Sequence, residues 1–548
     1  MSDGRLNPAA RADAVARLER EEVDVLVVGG GITGVGIALD AAARGLSVGL
    51  IEADDLAAGT SSRSSKLIHG GLRYLEMLEF RLVREALHER RLLLTRIAPH
   101  LVHAVQFLYP LKHRGWERPY VGAGLLLYDT WAGRHLPRAR HLSHRAALEA
   151  APGLRPDTLV GAVLFHDAQE DDALYTAYVA RTAAARGASI ATRVRVEGFL
   201  SAESGRIVGV RAQDRVQGKP LELRARHTIL AVGVSTDGLL EEATGRAHNM
   251  VRPSKGVHLI VPRSSIPLGS GLFMRTEKSI FHAIPWGSDH WLLGDTDTEW
   301  QGDVGEPLAN RTDVDYLLAK VNSVLVRPVG RDEICGVFAG LRPLVAADGV
   351  ADTTRLSRKH RLFSPRPGLT AIAGGKYTTY RVMSRDAVDA ACRDLGSEAR
   401  STTDRLPLLG AAAPREGDDR LHLRHGSCAD EVRMLVEASP ELASPLEGAP
   451  HYLHAEAVHA VTHQGALSLD DVLSRRTRVS IEATDRGRAA AASIAPQVAP
   501  LLGWSESRVA EEIDRYVRLR DAEEAAEAAP DDLAAAAAYR FILEGEAG

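Results

Sequence analysis

What most limits the fold of this chain is a glycine run set between two apolar segments. Residues 23–28, VDVLVV, form a short β-branched run that reads as a buried parallel strand. Gly29-Gly30-Gly31-Ile32-Thr33-Gly34 follows at once and fits G-x-G-x-x-G. A helical pattern then runs from Val35 to Ala43, ends near Gly45, and leads into a second strand, Leu46 to Glu52. In this β-α-β setting Gly29 permits the tight turn. Gly31 lets backbone approach a pyrophosphate, and Gly34 lets helix and strand pack closely. The free N–H groups of the helix N-terminus face the phosphates. Glu52 falls near the ~20-residue spacing of an acid that binds ribose hydroxyls. The alternative is a purely structural glycine turn. The motif alone does not choose between NAD and FAD. The hydroxyl-rich loop Gly59–Lys66, with Thr60, Ser61, Ser62, Ser65 and Lys66 as candidate contacts, suits the longer anionic, polyhydroxylated FAD; its plain reading is a solvated loop.

The chain has 548 residues, 45% hydrophobic and 25% charged, with a formal net charge of −5. At ~100–200 residues per domain this predicts about three domains, and wholesale disorder is excluded. The charge balance argues against a nucleic-acid partner, which calls for a basic excess, but leaves room for a local basic pocket. The three cysteines, Cys335, Cys392 and Cys428, lie far apart, so neither a disulfide scaffold nor a zinc site is expected, which suits a reducing cytosol. The N-terminus carries no secretory apolar segment. The apolar run between Asp24 and Asp40 is shorter than the ~18 residues of a spanning helix. The domain reading is a helical tail at 1–20, a dinucleotide domain at 21–400 with an interleaved substrate domain at roughly 75–165 and 245–335, a linker near 406–420, and an all-helical C-terminal domain at 401–548. No metal is expected, because the acidic cluster Glu170-Asp171-Asp172 begins a helix, where carboxylates suit the dipole.

The segment Lys66-Leu67-Ile68-His69-Gly70-Gly71-Leu72-Arg73-Tyr74-Leu75 resembles the FAD-dependent, respiratory glycerol-3-phosphate dehydrogenases. The resemblance continues at residues 167–173, 254–258, 294–298, 340–344, 374–381 (GGKYTTYR) and 469–478 (LDDVLSRRTR). It implies a fold of the glutathione-reductase/D-amino-acid-oxidase type: an α/β FAD domain, a β-rich substrate domain and a helical C-terminal domain. It also implies that Arg73, Tyr74, Arg342 and Lys376 line the substrate site, that Gly233, Gly375, Lys376 and Thr378 lie on the flavin, and that a membrane quinone takes the electrons. Two departures stand out. Leu174 replaces the usual Arg after Asp-Asp-Ala, and Leu230-Ala231-Val232-Gly233 replaces Asn-Ala-Thr-Gly.

A phosphorylated three-carbon polyol, sn-glycerol 3-phosphate in that family, requires clustered cations, preferably Arg. Arg73, Arg342, Lys376 and Arg381 sit in weakly charged, glycine-flanked motifs and are the candidates; each is otherwise an ordinary surface or paired cation. Oxidising the secondary alcohol requires a hydride acceptor and a base. Among 21 histidines, His258, at the start of an apolar strand, is the first candidate base, and His69, before Gly70-Gly71, the second. Arg342 and Lys376 would also stabilise the developing alkoxide. Residues 107–128 interleave aromatic, apolar and basic residues, as an interfacial membrane anchor would, or form a core loop and helix. The expected protein is a cytoplasmic enzyme on the inner membrane face, with a homodimer as an admissible assembly. The rivals are a glycerol-3-phosphate oxidase releasing hydrogen peroxide, an amino-acid oxidase, and a non-catalytic flavin-binding scaffold.

Overall fold

The computed structural model describes residues 3–133, 135–276, 280–346 and 359–545. The glycine loop joins strands Val23–Val28 and Val48–Ile51, which pair in parallel. An eight-stranded sheet grows around them in the order His360–Arg366, Leu369–Gly374, Lys219–Leu230, Val23–Val28, Val48–Ile51, Ser189–Ala191. Its central strands are parallel, and their paired stretches are largely apolar because both faces are covered. Helix Ile32–Ala43 packs between helices Asp172–Ala185 and Tyr380–Leu395 on one face. An antiparallel meander, Val194–Ser201, Ile207–Asp214 and Lys219–Leu230, covers the other. Leu174, where the family has Arg, is 1% exposed inside the first of these layers, so an apolar side chain suits the site.

A second, ten-stranded and mostly antiparallel sheet is built from residues 67–170 and 251–345. Its central strand, Val251–Pro262, pairs with Gly336–Val345 on one side and His290–Gly294 on the other. The register sets Ser254 opposite Arg342, and His258 opposite both Phe338 and Gly294.

In the N-terminal stretch, helix Pro8–Arg20 buries Ala14, Val15 and Leu18 against the first sheet, and Arg11 pairs with Asp214 at 2.6 Å. The partner surface of that helix comes from distant strands. The stretch 406–420 is not a free linker. Leu408 is buried, its N–H donates to the Ile97 carbonyl (2.9 Å), and Leu409 N–H donates to Thr182 Oγ1 (3.0 Å). The C-terminal region is helical except for one hairpin, Pro445–Leu446 with Ala449–Leu453, turned at Gly448. No helix among the described residues is long and apolar enough to cross a membrane.

Candidate active site

An elongated cavity of about 630 Å³ runs from the glycine loop to the second sheet, a size usual for cofactor and small-molecule sites. At one end it is made of backbone. Gly29 sits at φ +111°, and a Cβ there would meet the Ala231 carbonyl at 2.6 Å. A Cβ on Gly34 would fall 1.9 Å from the Gly29 carbonyl oxygen, so this glycine is what lets helix and turn touch. Ile32 N–H donates to Ser61 Oγ (2.9 Å), and Gly30 N–H donates to Glu52 Oε2 (2.5 Å). Burial pushes the Glu52 carboxyl up to about 7, against the pull of its N–H donors from Asp54 and Gly30. Gly31, Glu52, Thr60, Ser61, Ser65, Gly233, Gly375 and Thr378 all line the cavity. A glycine cradle at a helix N-terminus, an acid on the second strand and a long slot beyond them fit FAD: Gly31 and its helix N-terminus would hold a pyrophosphate, and the slot has room for a ring system.

Two expected cofactor contacts point elsewhere. Lys66 is fully buried at φ +56°, and its Nζ reaches Asp172 (2.8 Å) and the Ser62 carbonyl (3.0 Å) on the underside of the loop. Its left-handed backbone turns the side chain away from the cavity, which a hydroxyl-rich sequence pattern does not reveal. Ser62 is likewise buried and donates to the Gly59 carbonyl (3.4 Å).

At the other end the cavity is made of side chains. His258 is 2% exposed and stacks on Phe338 at 4.9 Å between ring centroids and 11° between planes. Its Nε2 lies 3.0 Å from Ser65 Oγ, and its Nδ1 is buried without a hydrogen-bond partner. Gly294 makes this placement workable: a Cβ there would lie 2.2 Å from the imidazole. Burial holds His258 and His69 down at about 3, and His282 at about 4, so all three are neutral bases at ordinary pH. Arg342 projects past Gly256, where a Cβ would lie 2.5 Å from the guanidinium. It donates to Asp295 and, at 2.9 Å, to the Thr296 carbonyl. Burial would raise the Asp295 carboxyl, but the Arg342 charge and hydrogen bond together with the neighbouring His258 and His282 outweigh it and hold it at about 2. Lys376 Nζ lies 3.6 Å from the Tyr74 ring centroid, and His69 N–H donates to Thr378 Oγ1 (3.2 Å).

Of the expected substrate residues, Tyr74, His69, His258, Arg342 and Lys376 therefore converge on the same cavity. Arg73 opens the short helix Arg73–Glu76, but its side chain lies outside the described residues. Arg381 does not belong: it is buried one helical step past Thr378 and forks onto Glu89 at 2.8 and 2.5 Å. The helix that starts at Tyr380 rotates it toward helix Phe80–Leu92. Sequence reasoning missed Asp295 and His282, which both line the cavity. Asp295 lay inside a block that carried the resemblance. Nothing set His282 apart from the other histidines.

One further cluster, Glu431, His459 and His463, brings three candidate metal-ligating atoms within 4.8 Å of one another. Arg181 already grips that carboxylate (2.7 Å), and His459 bonds its other oxygen (2.7 Å). A guanidinium at this distance opposes a second cation, so the cluster reads as a buried structural network.

The sequence profile of the FAD dependent oxidoreductases matches residues 24–381, and that of the C-terminal domain of alpha-glycerophosphate oxidase matches residues 401–509. The chain is 46% identical to glycerol-3-phosphate dehydrogenase 2 of Mycobacterium tuberculosis over 97% of this chain and 93% of the relative. It is 34% identical to the mitochondrial glycerol-3-phosphate dehydrogenase of Mus musculus, over 93% of this chain and 75% of that one. Among solved structures, the glycerol-3-phosphate dehydrogenase of Bacillus halodurans complexed with FAD superposes with a TM-score of 0.75 at 29% identity, covering 93% and 96% of the two chains.

Proposed function

The chain belongs to the FAD-dependent glycerol-3-phosphate dehydrogenase family, and on that premise we propose that it oxidises sn-glycerol 3-phosphate to dihydroxyacetone phosphate and delivers the electrons to a membrane quinone. The observation that carries the substrate reading is the meeting of two cations, Arg342 and Lys376, with a neutral buried imidazole at the ring end of the FAD slot. FAD, when bound, supplies the hydride acceptor and passes the electron pair onward.

The protein supplies charge and orientation. Arg342 and Lys376 attract the phosphate dianion, and Arg342 is held in place by Asp295 and the Thr296 carbonyl. Neutral His258 takes the C2 hydroxyl proton as the hydride leaves C2. Its Nε2 lies 3.0 Å from Ser65 Oγ, whose own O–H donates to Asp295 (3.4 Å). The Asp295 carboxylate then stabilises the imidazolium that forms. The cations favour the developing alkoxide.

Support for a lipid-soluble acceptor comes from the outer face next to the cavity mouth. Tyr74 lines the cavity, and the chain leaving its helix exposes Met77, Leu78 (71%) and Phe80. Phe80 meets Trp131 of helix Glu117–Ala132 edge-on at 6.0 Å, and that helix and its start expose Trp116 (58%), Tyr120 and Leu126 (65%). Lys112, Arg114 and Arg118 are exposed beside them. Apolar and aromatic groups flanked by cations suit an anionic bilayer surface and support the reading of a peripheral protein on the cytoplasmic side of the membrane. The strand part of this segment, with Phe107, Tyr109 and Leu111, is core.

Anaerobic flavin bleaching tests the substrate: glycerol 3-phosphate is expected to bleach the enzyme and glycerol to fail. Equal bleaching by glycerol would refute the phosphate pocket. In Arg342→Met, kcat/KM for glycerol 3-phosphate should fall ~10²–10³-fold with full flavin content, the scale of losing a charge-assisted anion contact. Rapid reoxidation by a quinone in anionic vesicles supports the dehydrogenase; rapid reoxidation by oxygen with peroxide release makes it an oxidase.

A further inference from the structure

The C-terminal region reaches the FAD domain through Asp470–Arg478, and this segment lands on the underside of loop 52–66. Arg475 Nε donates to Asp55 (2.6 Å), and the Arg476 fork spans both Asp55 oxygens at 2.8 Å each. Asp55 is 1% exposed and lies between Asp54 and Ala58, which line the cavity. Arg478 Nε donates to Asp171 (2.9 Å), its fork reaches Asp172, and its NH1 donates to the Ser62 carbonyl (3.2 Å). Asp172 in turn accepts from Ser64 N–H (2.9 Å), Ser64 Oγ (2.7 Å) and Lys66 Nζ (2.8 Å). Asp471 binds both Arg475 (2.6 Å) and Arg193 (2.8 Å), and Arg193 N–H donates to the Asp54 carbonyl (3.0 Å).

The backbone carries a matching signature. Ala57, Lys66, Arg193 and Arg478 all have left-handed φ, +62°, +56°, +58° and +80°. Such conformations are uncommon outside glycine and persist where surroundings over-determine them. The loop and the residues that grip it are thus held in a shape that the local sequence does not favour. Buried ion pairs of this kind fix geometry more surely than they add stability.

We infer that Arg475, Arg476 and Arg478 are positioning residues for FAD: from the C-terminal region they hold loop 52–66 in its nucleotide-binding shape. The same loop presents Glu52, Thr60, Ser61 and Ser65 to the cavity, while none of the three arginines lines it. FAD affinity therefore depends on docking of the C-terminal segment, and by linkage FAD tightens that docking by the same factor. The inference rests on FAD in this cavity and is independent of which alcohol is oxidised.

The test is titration of the full-length apoprotein with FAD, followed by flavin fluorescence, which needs no substrate. Arg476→Met and Arg478→Met should raise the FAD Kd at least tenfold. Arg486→Met is the control: Arg486 is also buried and at left-handed φ (+56°), but it pairs with Glu527 (2.9 Å) inside the C-terminal region. Its Kd should change less than twofold. Equal weakening in all three variants, or none in the first two, would overturn the inference. Hydrogen exchange on the unaltered protein covers the case of a variant that does not fold. FAD should protect amides in 470–478 together with those in 52–66 and leave helix Glu506–Ala528 unchanged. Protection confined to 52–66 would also overturn it.

Discussion

The two ends of the cavity are built differently. At the nucleotide end, one β-α-β unit supplies glycines, backbone N–H groups and one carboxylate, all within residues 29–61. At the ring end, charged and aromatic side chains arrive from Tyr74, His258, His282, Asp295, Arg342 and Lys376, on strands and loops far apart in sequence. A backbone-built site has no part that can be deleted without disturbing the turn itself. A side-chain-built site should lose its functions one at a time while the cofactor stays bound.

The largest effect is expected at the first end. Gly34→Val sets side-chain atoms against the Gly29 carbonyl, where even a Cβ has only 1.9 Å. The variant should purify without flavin, as its absorbance spectrum would show; a full flavin complement would break the comparison. At the second end, His258→Asn should keep its flavin but slow anaerobic flavin reduction ~10²–10⁴-fold, the usual weight of a general base. Loss of flavin in that variant would mean that the two ends are not separable.

The smallest effect is on stability and sharpens the same contrast. His258 is held at about 3, whereas the unfolded chain keeps the ordinary value of 6.5. Between these values the unfolded state binds the extra proton, so this histidine destabilises the fold as pH falls below about 6.5. His258→Asn should therefore gain relative to the parent by about 2 kcal/mol from pH 6.5 to 5. Urea midpoints at the two pH values measure this. A constant difference would show that the imidazole is not buried as a neutral base.

The glycine motif told where the helix starts, which strand follows and which acid meets the loop, because those contacts are local and each glycine has a steric reason. His258, Arg342 and Lys376 were legible through the motifs around them. Lys66 and Arg381 were misread for a shared reason. Each is a cation in a suggestive motif, and only its rotation decides whether it meets a ligand or a buried carboxylate, Asp172 or Glu89. Asp295 passed unremarked because its work depends on Arg342, its neighbour only through strand register. The C-terminal arginines sat in a block that carried the resemblance, 469–478, but nothing in it named Asp55, Asp171 and Asp172 as their partners.

The amino-acid order on its own determined the nucleotide fold and the stock of charges, since steric demands and apolar periodicity act between near neighbours. Which cations face the substrate and which are buried in ion pairs was decided only when the two sheets and the C-terminal helices packed together. The energy of a buried charge depends on the opposite charge brought to it through space, and spacing along the chain does not encode that distance.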